Sequence, residues 1–137
     1  MFKKLIALLM AVIALASCEK SNSDCRDKIC TDEFAMVTVK FLDTVSEPVN
    51  VKNFSAVNQR TKDTIRSNQS YNSFEKGVYV VVDDNYRKNL ADSGDNILVS
   101  ATDSISHQTK TAVIKVAGGE CACHIKKLSG AEKIKFD

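Results

Sequence analysis

Apolar and polar residues alternate with a period of two along much of this chain. Val37, Val39 and Phe41 are separated by Thr38 and Lys40, the pattern of a strand with one buried and one wet face. Residues 107–116 repeat it, with Ala112, Ile114 and Val116 on one face, and residues 97–101 and 133–136 give shorter versions. Residues 49–57 read as a weaker strand behind Pro48 and the turn-like stretch 43–47, and residues 61–67 as another. After Gly77, the run Val78-Tyr79-Val80-Val81-Val82 is apolar on both faces, which predicts a central strand. Asp83-Asp84-Asn85 ends it, residues 86–91 fit one helical turn, and Gly94-Asp95 turns into the next strand. Gly118-Gly119 leads to a strand over 121–128. Seven or eight short strands, with no amphipathic helix among them, predict an all-β fold, an antiparallel β-sandwich over residues 33–137.

The first residues follow another pattern. Met1-Phe2-Lys3-Lys4 is a short positive start, followed by an unbroken apolar run over residues 5–16. That run falls well short of the ~20 residues that span a bilayer as a helix, so residues 1–17 read as a helical signal peptide. Its end, Leu15-Ala16-Ser17-Cys18, resembles the lipobox of bacterial lipoproteins. The resemblance implies that the Cys18 thiol takes a diacylglycerol, that the leader is cut before it, and that the new amino group is acylated. Stable attachment to a bilayer takes at least two lipid signals, which a multiply acylated cysteine supplies. Residues 18–32 then form a lipidated N-terminus and tether, polar and without periodicity over 19–24. Seven steps from Cys18 to Cys25 span at most about 25 Å, so the domain is held close to the membrane.

The leader changes how composition reads. The chain has 19 basic and 17 acidic residues, but Lys3 and Lys4 belong to the leader. The mature part is balanced, without the basic excess of a nucleic-acid binder. Five cysteines become four once Cys18 is assigned to lipid: Cys25, Cys30, Cys121 and Cys123. An even number in an exported domain predicts disulfides. In a strand, Cys121 and Cys123 point the same way about 6.5–7 Å apart, too far to bond to each other. The N-terminal pair is therefore expected to bond to the C-terminal pair, with individual partners open. Local closure of Cys25 with Cys30 is the alternative.

Residues 34–116 resemble a transthyretin-like, carboxypeptidase-regulatory-like module, an immunoglobulin-like sandwich. The matching features are Val39 to Asp43, Pro48-Val49, Gly77-Val78-Tyr79, and Gly94-Asp95-Asn96-Ile97-Leu98-Val99. Ser46-Glu47 departs from it, because many such modules carry a glycine before the proline. The tail, Cys121-Ala122-Cys123-His124-Ile125-Lys126-Lys127-Leu128-Ser129-Gly130, resembles the ending of small lipoproteins of Bacteroidota. The residues after Cys18, Glu19-Lys20-Ser21-Asn22, resemble surface-export signals of that group, which implies the outer membrane.

Candidate chemistry is sparse. Cys121-x-Cys123-His124, joined by Cys25 and Cys30, offers a metal or thiol-exchange site. Its spacing matches neither structural zinc nor a redox Cys-x-x-Cys, nor the Cys-x-x-Cys-His of c-type haem. His107 and His124 are the only histidines, and His107 sits in a polar loop. A transthyretin-like hydrolase would need both in one pocket. No nucleophile elbow, zincin motif or phosphate loop is present, so no catalytic residue, metal ligand or cofactor is assigned and no enzyme is expected. Asp83, Asp84, Asn85, Asp92 and Asp95 could gather oxygens for calcium, although their spacing is not that of an EF-hand. Phe41 and Tyr79 are core candidates, whereas Tyr71, Phe74 and Tyr86 flank loops that could form a binding surface. Lys126, Lys127, Lys133 and Lys135 suit the protection of an edge strand. The expectation is a non-enzymatic envelope module. It contacts the membrane through its lipid and an envelope protein or glycan through the sandwich.

Overall fold

The computed structural model describes residues 25, 28–66 and 75–137. The leader, Cys18, the stretch 19–24, Tyr71 and Phe74 lie outside the described residues. Among those described, no helix is long and apolar enough to cross a membrane.

Among the described residues, seven strands form two sheets. They are β1 (Met36–Leu42), β2 (Val51–Asn58), β3 (Val78–Asp83), β4 (Asp95–Asp103), β5 (Thr109–Ala117), β6 (Lys126–Ser129) and β7 (Lys133–Lys135). One sheet has the order β3-β1-β7 and the other β2-β4-β5-β6. The predicted β-sandwich is the fold. Strict alternation reads directly as burial in β4, where every odd residue from Asp95 to Asp103 is buried. Valines and isoleucines of the two inner faces meet around Phe41 and Phe136, both fully buried.

Four details differ from the sequence reading. First, β3 is an edge strand, not a central one. Its apolar run is explained by a bulge: Val37 pairs with Val82 and Thr38 with Val80, so Val81 is the extra residue. The bulge turns Val81 and Val82 together into the core. Second, β7 runs parallel to β1, with Lys40 opposite Lys133 and Leu42 opposite Lys135. Third, the strand expected over 121–128 begins only at Lys126, because residues 121–124 are held in a turn. Fourth, residues 61–66 contribute one isolated bridge, Val57 to Thr64, instead of a strand. The expected helical turn is a 3₁₀ helix, η1 (Asp84–Asn89), whose N-cap Asp83 accepts from the Asn85 N–H.

The strands define two poles. One pole gathers the N-terminal segment 28–35, η1, the loop 90–94 and the turn 118–125. The other gathers the loop 43–50, Gly77, the β4–β5 turn 104–108 and the C-terminus. Between them lie nine-residue strands, about 27 Å long. Gly77, at φ 77°, packs its backbone at the second pole where an added Cβ would lie 2.8 Å from the Phe41 carbonyl oxygen. Ser46, the departure from a glycine noted above, has φ 72°. It adopts the left-handed conformation a glycine would favour, and Asp43 holds the turn by accepting from the Val45 and Glu47 N–H groups.

Candidate functional site

The densest chemistry lies at the first pole. Cys25 is bonded to Cys121 and Cys30 to Cys123, with Cα–Cα distances of 5.3 and 5.2 Å. Both bonds join the N-terminal pair to the C-terminal pair, as expected, and the structure supplies the pairing that spacing left open. With all four sulfurs in disulfides, no thiolate is offered to a metal or to exchange in this form. From Cys25 on, the segment read as tether is fastened to the sandwich. Lys28 reinforces the fastening by donating from Nζ to the Cys121 carbonyl at 2.8 Å. Arg87 of η1 donates to the Cys123 carbonyl at 2.8 Å.

His124 completes the pole. Its Nδ1 lies 2.7 Å from Asp84 Oδ2, and its Nε2 lies 3.0 Å from Thr31 Oγ1. A neutral ring protonated on Nδ1 satisfies both contacts, donating to Asp84 and accepting from Thr31. Asp84 also accepts from the Ala35 N–H and the Ile125 N–H, each at 2.8 Å. Burial pushes the Asp84 carboxyl up, but the Ala35 N–H, His124 and the Ile125 N–H outweigh it and hold it below the ordinary range. Hydroxyl, imidazole and carboxylate stand in the order of a hydrolytic triad. Thr31, however, is exposed. The arrangement ties three separate segments together; it acts as a clasp.

A second carboxylate, this one buried, lies nearby. Asp95 accepts from Asn58 Nδ2 at 2.8 Å, Arg60 Nε at 2.6 Å and the Ala91 N–H at 3.2 Å. The Arg60 guanidinium, then Asn58 and the Ala91 N–H, hold its carboxyl low against the opposing effect of burial. The calcium candidates are thus dispersed. Asp83 caps η1, Asp84 holds His124, Asp95 holds Arg60, and Asp92 lies against Gly119, whose missing side chain makes room for it. Among the described residues, no group of three His, Cys, Asp or Glu side chains could hold a metal ion.

His107 lies exposed in the β4–β5 turn, at the far end of β5 from His124. The two histidines therefore occupy opposite poles, and the shared pocket a transthyretin-like hydrolase would need does not form. Phe41 is a core residue as expected, whereas Tyr79, expected in the core, is half-buried and packs against it, as Tyr86 does from η1. Lys126 and Lys127 lie on β6 and Lys133 and Lys135 on β7, each an edge strand. A groove of about 380 Å³ runs over the outer face of β1, beside Thr38 and Val78. Two ion pairs flank it, Lys40 with Glu75 and Lys127 with Glu132.

The clasp, the Asp95 cluster and the groove were not foreseen. Asp84 and His124 are 40 residues apart, and Thr31 and His124 are 93 apart. Nothing in local spacing announces such contacts. No family model, curated protein or solved structure matches this chain.

Proposed function

We propose that this chain is a lipid-anchored module of the bacterial cell envelope, a non-enzymatic accessory that binds or supports an envelope protein or glycan. Cys18 is the anchor, and Glu19-Lys20-Ser21-Asn22 favours the outer membrane. The observation that carries the reading is the pair of disulfides between the segment just after Cys18 and the C-terminal tail. Such bonds suit an oxidising compartment. They also make a rigid mount: only six residues lie between Cys18 and the first staple at Cys25, so the sandwich is held within a short reach of the anchor. The groove flanked by Lys40, Glu75, Lys127 and Glu132 is the concave surface on offer, and its charges suit a polar ligand.

Labelling of growing cells with a radioactive fatty acid tests the anchor. The native chain should carry label and sediment with membranes, whereas Cys18→Ala should do neither. An unlabelled, freely soluble native chain would overturn the reading. Crosslinking in intact envelopes, followed by mass spectrometry, tests the accessory role. It should return a discrete partner that is lost when Lys40 and Lys127 are both replaced by glutamate.

A further inference from the structure

The first pole carries an apolar side chain that the fold does nothing to cover. Ile29 is 99% exposed. Large apolar residues on a surface are ordinary when they sit on pliable loops, but this one is fixed. Cys30, the next residue, is bonded to Cys123, and Cys25 is bonded to Cys121. The Lys28 N–H donates to the Cys25 carbonyl, and the Lys28 side chain is engaged with Cys121. Ile29 is therefore held out on a knuckle, residues 28–30, whose two flanking residues are both fastened to the C-terminal tail. Phe34 and Met36, each more than two-fifths exposed, follow it at the same pole.

This is also the pole where the chain arrives from Cys18. Seven steps separate Cys18 from Cys25, a reach of at most about 25 Å. That is shorter than the ~27 Å length of the sandwich strands, so the knuckle is the part of the domain kept nearest the lipid. We infer that Ile29 is a membrane foot: it inserts into the interfacial region of the bilayer that holds the anchor and stands the sandwich upright, with the second pole facing away. The inference rests on the lipid anchor proposed above.

One isoleucine partitions weakly alone. Tethering changes this, because contact is then intramolecular and the effective lipid concentration is set by the short linker. Among the described residues beside Ile29, exposed Lys28 is outweighed by exposed Asp32 and Glu33, so together they give no net attraction to anionic headgroups. On uncharged headgroups the contact is apolar and does not depend on ionic strength.

The absence of tryptophan makes the test clean. Lipidated full-length Ile29→Trp and Ile105→Trp proteins are reconstituted into phosphatidylcholine vesicles with or without brominated acyl chains. Ile105 is 83% exposed at the second pole, so neither substitution disturbs packing. Thiol titration confirms that both disulfides remain. In Ile29→Trp, emission should shift to the blue and lose about half its intensity to brominated lipid, equally at low and high salt, as for a side chain in the acyl boundary. In Ile105→Trp, emission should be unaffected. Vesicle flotation with neither tryptophan quenched would leave the anchor standing and overturn the foot. Equal quenching of both would overturn the upright orientation, and with it the inference. Failure of the native chain to float would remove the anchor and the foot together.

Discussion

At the pole where the chain enters, two disulfides and two carboxylates, the half-buried Asp84 and the buried Asp95, hold the loops. At the opposite pole, aromatic rings do the equivalent work from beneath. Phe41 lies 5.9 Å from Phe136, 5.6 Å from Tyr79 and 6.2 Å from Phe54, measured between ring centroids. Tyr79 also bridges the sheets, accepting from the Val51 N–H at 2.9 Å. The turns above are small and self-contained. Asp103 accepts from the Ser106 hydroxyl and N–H, and Asp43 from its own loop. The difference teaches that one small domain can fix the loops at its two ends by different means. The entry pole is fixed covalently and by contacts between distant segments, so it suits a mount. The far pole needs only its aromatic floor, leaving its turns free to present Val45 and Ile105, 73% and 83% exposed.

Removing the staples should break the comparison most severely. Either disulfide alone closes a ring of more than 90 residues. With one bond in place, the other closes only about 8 further residues. The chain-entropy relation then gives about 2–3 kcal/mol for losing either bond and about 7 kcal/mol for losing both. Urea denaturation of Cys25→Ala/Cys121→Ala, Cys30→Ala/Cys123→Ala and the quadruple variant should show this excess over additivity. The quadruple loss is comparable to the whole stability of many domains.

Phe41→Ala should cost about 3–5 kcal/mol by removing the centre of the aromatic floor. Hydrogen exchange should place the resulting opening at the second pole, in β7 and the 43–50 loop, with the stapled pole still protected. Asp95→Ala should cost about 2–3 kcal/mol, because Asn58 and the Ala91 N–H lose a charged acceptor. Its loosening should appear at the entry pole, in the amides of Ala91 and Arg60.

Acid should act on both carboxylates of the entry pole, Asp84 of the clasp and Asp95. Asp84 and Asp95 are held below the ordinary range, so the stability they contribute is complete above the unfolded carboxylate value of about 3.9. It is lost as pH falls through their lower folded values. The amide shifts of Ala35 and Ile125 should follow the Asp84 titration with a midpoint under 3.9 or so, and Asp84→Asn should abolish that step. The smallest effect belongs to the exposed tip of the far pole. Ile105→Ser should change stability by less than about 0.5 kcal/mol.

Legibility in the sequence follows the same division. Period-two alternation announced β1, β4 and β5, whose cores are built from near-strict patterns. It misplaced β3, because a bulge at Val81 breaks the period and imitates a strand buried on both faces. In β2, the register slips between Lys52 and Ser55, and Asn53 has φ 52°, which explains why that strand read weakly. Cysteine parity, which needs only whole-chain counting, pointed to disulfides; their long-range sense was read from an extended Cys121–Cys123, and it holds although those residues lie in a turn. The Asp84–His124–Thr31 clasp and the Arg60–Asp95 pair were invisible, since both arise from loops brought together only after the sheets pack.

The long-range pairing of the staples has a consequence for how the molecule is made. Synthesis runs from the N-terminus, so Cys25 and Cys30 emerge while partners 96 and 93 residues downstream do not yet exist. During that interval the nearest thiol to Cys25 is Cys30, five positions away. A bond between those two is a premature product that a later thiolate has to reopen by exchange. Where that bond forms first, the native pairing requires exchange as well as oxidation, and the last cysteines of the chain decide how the first are used.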